Sequence, residues 1–120
     1  MSDPTIIERI PPDVVTLLQI KKRTLDEPSA NRIVDEVQNS ASAQPDKPVV
    51  LDFAKVEFVP SSALGGLVRL AQGMRLGGTK LILVNVDRRV RGSFTVTRLD
   101  KVLDIRQTLE DAIYVLKGTL

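Results

Sequence analysis

The run Val49-Val50-Leu51-Asp52-Phe53 constrains the fold more than any other part of the chain. Four of its five residues are apolar, without the alternation that a sheet with one wet face requires, so it reads as a strand buried on both sides. Such a strand needs helices over it, and the flanking sequence supplies them. Upstream, Ala30, Ile33, Val34, Val37 and Ala41 recur at helical spacing, with Pro28 in the first turn, where its missing N–H costs nothing. Downstream, Leu64, Leu67, Val68, Ala71 and Met74 share one face of a second helix, which Gly77 and Gly78 close because glycine readily turns left-handed at a helix end.

The same reading extends to both ends. Residues 6–10 and 14–20 are apolar runs broken by Pro11, Pro12 and Asp13, the pattern of a hairpin at a sheet edge. Residues 57–59 read as the end of a strand, and residues 81–84 as another buried one. Asp87 is placed to cap a third helix with Val90 and Phe94 inward, and residues 102–105 suit a short strand. Thr108 and Asp111 resemble a capping box opening a last helix, with Leu109, Ala112, Ile113 and Leu116 on one face. The order ββαβαβαβα predicts an α/β fold, a mixed, mostly parallel sheet covered by about four helices with right-handed crossovers. One domain over residues 1–120 is expected, with the hairpin in residues 1–20.

Composition narrows the function. With 120 residues, 42% apolar and 27% charged, the chain suits one ordinary core, and no apolar stretch approaches the roughly 20 residues that span a bilayer. Residues 1–12 lack the basic start and apolar run of a secretion signal, so a cytoplasmic location is expected, with no membrane insertion. The absence of cysteine and histidine removes disulfides, thiolate nucleophiles, imidazole bases and the usual transition-metal ligands. A net charge of +2 and 3% aromatics offer little to nucleic acid.

Two serines, Ser61 and Ser62, stand where residues 57–59 meet the second helix. A serine there is ordinarily a cap, accepting a backbone N–H two or three residues on. The same place is where a phosphate is most easily held, since free N–H groups and the positive end of the helix dipole point at it. On the residues alone, either Ser61 or Ser62 suits the cap.

The run from Val49 to Ile105, with Asp52 after the central strand, the Ser61-Ser62-Ala63-Leu64-Gly65 turn, Gly77-Gly78 ahead of "KLILVNV" and Leu99-Asp100-Lys101 near the end, resembles the STAS domain of bacterial anti-sigma factor antagonists. The best-matching core is residues 49–116. The resemblance implies a partner-switching protein. It would bind an anti-sigma factor that is also a serine kinase, be released by phosphorylation of Ser61, with Ser62 the second candidate acceptor, and have a phosphatase as a further partner. The kinase would bring ATP and magnesium, so no cofactor and no catalysis are expected of this chain. Pro60, Ser62, Leu64, Arg88, Arg89 and Arg91 are the expected partner-binding residues. Pro60 stands where the family commonly has Asp, and Ala63 where it has Gly.

Arg88, Arg89 and Arg91 form the densest basic group and lie near a helix start, where positive charge opposes the dipole; a solvated face and a surface for an acidic partner are both open. Asp26, Asp52 and Glu57 have no ligand spacing and read as caps or solvated carboxylates, and the glycine pairs lack the Gly-Lys-Ser/Thr of a phosphate loop. Rival functions are a STAS subunit of an ABC-type lipid or solute transport complex and a scaffold with a silent serine. A serine hydrolase would need a histidine the chain does not have.

Overall fold

The computed structural model describes residues 7–10 and 15–118, with side chains over residues 15–116. The strands are β1 (Ile7–Ile10), β2 (Thr16–Ile20), β3 (Val49–Asp52), β4 (Leu81–Val84) and β5 (Asp104–Ile105). The helices are α1 (Glu27–Ala43), α2 (Ser61–Leu76), α3 (Arg88–Val96) and α4 (Leu109–Gly118). They form one α/β domain whose five strands lie in chain order across the sheet. β1 is antiparallel to β2, pairing Ile7 with Ile20 and Ile10 with Leu17. β2 to β5 are parallel. Ile6, Val14 and the turn expected between the first two strands lie outside the described residues.

β3 is central, and every one of its residues is buried. Its side chains divide by parity. Val49, Leu51 and Phe53 face the larger core with Leu18, Ile20, Leu83 and the inner stripes of α1, α2 and α3. Val50 faces the other side with Leu17, Ile82, Val84 and Ala112 of α4. This explains the lack of apolar–polar alternation along Val49-Val50-Leu51: neither face of β3 meets water. In the larger core the Phe53 and Phe94 rings meet edge to face, their centroids 6.3 Å apart, tying α3 to the sheet.

Most predicted ends hold. Asp26 caps α1 by accepting the Ser29 N–H at 2.9 Å, with Pro28 in the first turn. Asp87 caps α3 through the Arg89 N–H, and the Thr108 hydroxyl accepts the Asp111 N–H at 3.1 Å. Gly78, at φ +75°, takes the left-handed position after α2. Two expectations need correction. The last strand is only Asp104–Ile105, because Val102 and Leu103 donate their N–H groups to Leu99, closing a 3₁₀ turn at Leu99–Lys101 instead of joining the ladder. Residues 57–59 are not a strand end. A single parallel bridge joins Phe58 to Thr24.

Candidate functional site

Because β2, β3 and β4 are parallel, their carboxyl ends share one edge of the sheet, and the chain leaves that edge into α1, α2 and α3 in turn. In open parallel sheets this is the edge where sites form. Three helix N-termini start there. Two are capped by aspartate side chains, Asp26 and Asp87, whereas α2 starts from Pro60 with no side-chain cap. The Pro60 carbonyl accepts the Ala63 N–H at 2.9 Å, which opens the helix. Ser61 and Ser62 are its first two residues, and both are exposed. The expectation that one of the two serines, Ser62 in particular, is the cap is therefore overturned. A cap residue sits outside the helix in extended conformation, and here Pro60 holds that position, at φ −67° and ψ 158°.

The loop between β3 and α2 is anchored at each step. Phe53 donates its N–H to Val84, Val56 to Phe53, and Glu57 and Phe58 to Arg23, while Leu25 donates to Phe58. Val56 and Val59 are buried. Phe58 between them stays 57% exposed, two residues before Pro60. Sequence reasoning missed it, and strand alternation gives no signal, because Phe58 shares the parity of the buried Val56 and would be sent inward with it. Beside it, Arg23 Nε and Glu57 pair at 2.7 Å with both groups largely in water, a contact that adds little stability. Leu64, expected to face a partner, packs inward with only 7% exposure.

The basic group occupies the neighbouring helix start. Arg89 is less free than its position suggested. Its Nε lies 3.2 Å from the capping Asp87 carboxylate, which raises the guanidinium pKa, with Glu57 adding to the effect from the adjoining loop. In return, the backbone N–H of Arg89 and then its side chain hold the Asp87 carboxyl below its ordinary range. The local conflict with the dipole is thus partly offset by the cap. Arg88 and Arg91 are exposed, with no ion pair among the described residues.

Of the three carboxylates read as caps or solvated groups, Asp26 caps and Glu57 is exposed. Asp52 is different. It is buried, at 9% exposure, and accepts three hydrogen bonds. No group of three or more Asp and Glu side chains among the described residues is placed to hold a metal ion. Two grooves of about 380 Å³ each open elsewhere, around Met74 and Thr79 near the far end of α2, and neither is lined by Ser61, Ser62, Arg88, Arg89 or Arg91.

The arrangement is a serine-bearing helix start beside a basic helix start, at the carboxyl edge of a parallel sheet. The family model for the STAS domain matches residues 6–112. The chain belongs to the STAS domain family. A candidate anti-sigma factor antagonist of Thermotoga neapolitana, a homologue of TM1081, is 25% identical over 112 residues, covering 92% of this STAS domain chain and 96% of the relative. Among solved structures, an anti-sigma-factor antagonist (STAS) domain protein from Planctomyces limnophilus superposes with a TM-score of 0.76 at 21% identity, covering 92% of this chain and 97% of that one. The murine anion transporter Slc26a9 gives the same TM-score at 15% identity, covering 88% of this chain but 18% of the transporter. The STAS fold is therefore common to both kinds of protein, and it does not choose between them. No described helix is long and apolar enough to cross a membrane.

Proposed function

We propose that this STAS domain is an anti-sigma factor antagonist in a partner-switching pathway, and that Ser61 is its phosphorylation switch. The observation that carries the reading is the start of α2, where an exposed serine stands at the first position of a helix with no side-chain cap. Backbone donors and the dipole favour an added phosphate there, so the free domain tolerates the modification. The antagonist relative, matched over nearly its whole length, supports an anti-sigma factor as the partner; that this factor has serine kinase activity, with a phosphatase to reverse the change, is the finer part of the proposal. The chain acts as substrate and regulator and catalyses nothing itself.

The docking surface in this reading comprises Phe58, Pro60, Ser61 and Ser62 with the arginines of α3, so Phe58 replaces Leu64 as its apolar member. A transport role is the second reading. The fold shared with a transporter is compatible with it, and Pro60 favours it by removing the carboxylate the family commonly places before its acceptor.

The test is affinity capture from the native cell followed by intact-mass measurement. An anti-sigma factor kinase is the expected companion, and incubation with it and ATP should add one phosphate. Ser61→Ala should abolish the added mass while Ser62→Ala keeps it. Modification that survives in Ser61→Ala would move the switch elsewhere, and recovery with a membrane transporter would establish the second reading.

A further inference from the structure

Asp52 is the one buried carboxylate among the described residues, and the proposed switch does not use it. Its Oδ1 accepts the Ala54 N–H at 2.8 Å and Asn85 Nδ2 at 3.1 Å, and its Oδ2 accepts Gln19 Nε2 at 3.1 Å. Those donors belong to three different segments. Ala54 opens the loop that delivers Ser61, Asn85 opens the loop that delivers Arg88 and Arg89, and Gln19 stands near the end of β2, ahead of Arg23. Asn85 is held at φ +57°, a conformation asparagine tolerates better than most residues. An ionised carboxylate accepts only, and here every neighbour donates, so the network has no conflict within it.

We infer that Asp52 is a positioning residue that locks the Ser61 loop and the Arg88–Arg89 loop into one surface. The inference takes that surface from the proposed function, but the locking is a property of the free domain and is measured there. The chain has no cysteine, so a pair of introduced cysteines can be spin-labelled without interference. Labels at Ser61→Cys and Arg88→Cys report the two loops, and labels at Asn31→Cys and Gln72→Cys report the packing of α1 on α2 as a control.

In the parent protein both pairs should give one narrow distance distribution. Asp52→Ala should broaden the 61–88 distribution at least twofold and leave the control pair unchanged. Asp52→Asn should keep the native width, because the new amide oxygen still accepts from Ala54 and Asn85 while the Gln19 amide turns over to accept from the new amide nitrogen. An unchanged 61–88 width in Asp52→Ala overturns the inference, as does an Asp52→Asn variant as broad as Asp52→Ala. Should Asp52→Ala lose the control distance as well, Asn85→Gly decides: glycine adopts the positive φ without strain and removes one donor, so broadening at 61–88 with a native control supports the lock and a native width rejects it. A locked surface that captures no anti-sigma factor would count against the proposed function and leave the role of Asp52 standing.

Discussion

At the scale of single residues, aspartates organise the site edge by what they accept. Asp26 and Asp87 take backbone N–H groups at helix starts, and both titrate below the ordinary carboxylate range, Asp26 through the side-chain and backbone hydrogen bonds of Ser29 and Asp87 through those of Arg89. A depressed folded-state pKa means that the stabilisation is fully present above the unfolded value of about 3.9 and is lost as pH falls through the folded one. These caps should therefore contribute equally at pH 7 and pH 5 and begin to weaken only below about pH 4. Asparagine caps nearly as well and does not titrate there. The drop in thermal midpoint between pH 7 and pH 3 should accordingly be smaller in the Asp26→Asn, Asp87→Asn double variant than in the wild type. Equal drops would show that the caps do not carry the acid sensitivity.

At the scale of elements, helix starts and stops depend on backbone freedom as much as on side chains. Gly92 lies in α3 with an ordinary φ and open space around an added Cβ. Gly92→Ala should stabilise by about 0.5–1 kcal/mol, raising the midpoint by roughly 2–5 °C. Gly78 has equally open space but a φ of +75°. There Gly78→Ala should cost about 1–2 kcal/mol and lower the midpoint, although nothing collides. Calorimetry on the pair separates conformational cost from packing, since neither new methyl meets a neighbour. A rise in both midpoints would mean that the turn after α2 relaxes when alanine replaces Gly78.

At the scale of the whole molecule, the switch is expected to act without refolding. Ser61→Asp places a carboxylate at the first position of α2, where it interacts favourably with the dipole by about 0.3–1 kcal/mol, so the midpoint should equal or slightly exceed that of wild type. A docked partner has to desolvate the same charge, and a loss of ~3 kcal/mol weakens binding by roughly a hundredfold. Measured on one preparation, wild-type affinity or a collapse in midpoint would each defeat the mechanism. The arginines act over longer range. Reversing Arg88 and Arg91, the two without an ion pair among the described residues, should slow association several-fold at low salt, with the difference shrinking as salt rises, because exposed charges steer encounter more than they hold a complex. An unchanged association rate would return them to the role of a solvated face.

The alternation of strand and helix, the double-sided burial of β3 and the caps at Asp26, Asp87 and Thr108 were legible in the sequence, because each follows from periodicity or from hydrogen bonds closed within a few residues. The sequence also showed the basic run at Arg88–Arg91 and put the serine pair at the junction with the second helix, though not inside it. What stayed hidden depends on groups far apart in the chain. The start of α2 was misplaced because the Pro60 carbonyl, and not the Ser62 hydroxyl, opens the helix, and the inward turn of Leu64 and outward turn of Phe58 depend on how the loop lies against Arg23 and Thr24. Asp52 shows the limit most clearly. In the sequence it is one polar residue after three apolar ones, and only the parallel pairing of β2, β3 and β4 brings Gln19 and Asn85, each 33 residues away, within hydrogen-bonding reach of its carboxylate. Periodicity specifies which side of an element is buried; which donors meet across the sheet is set by register, and register is a property of the assembled strands.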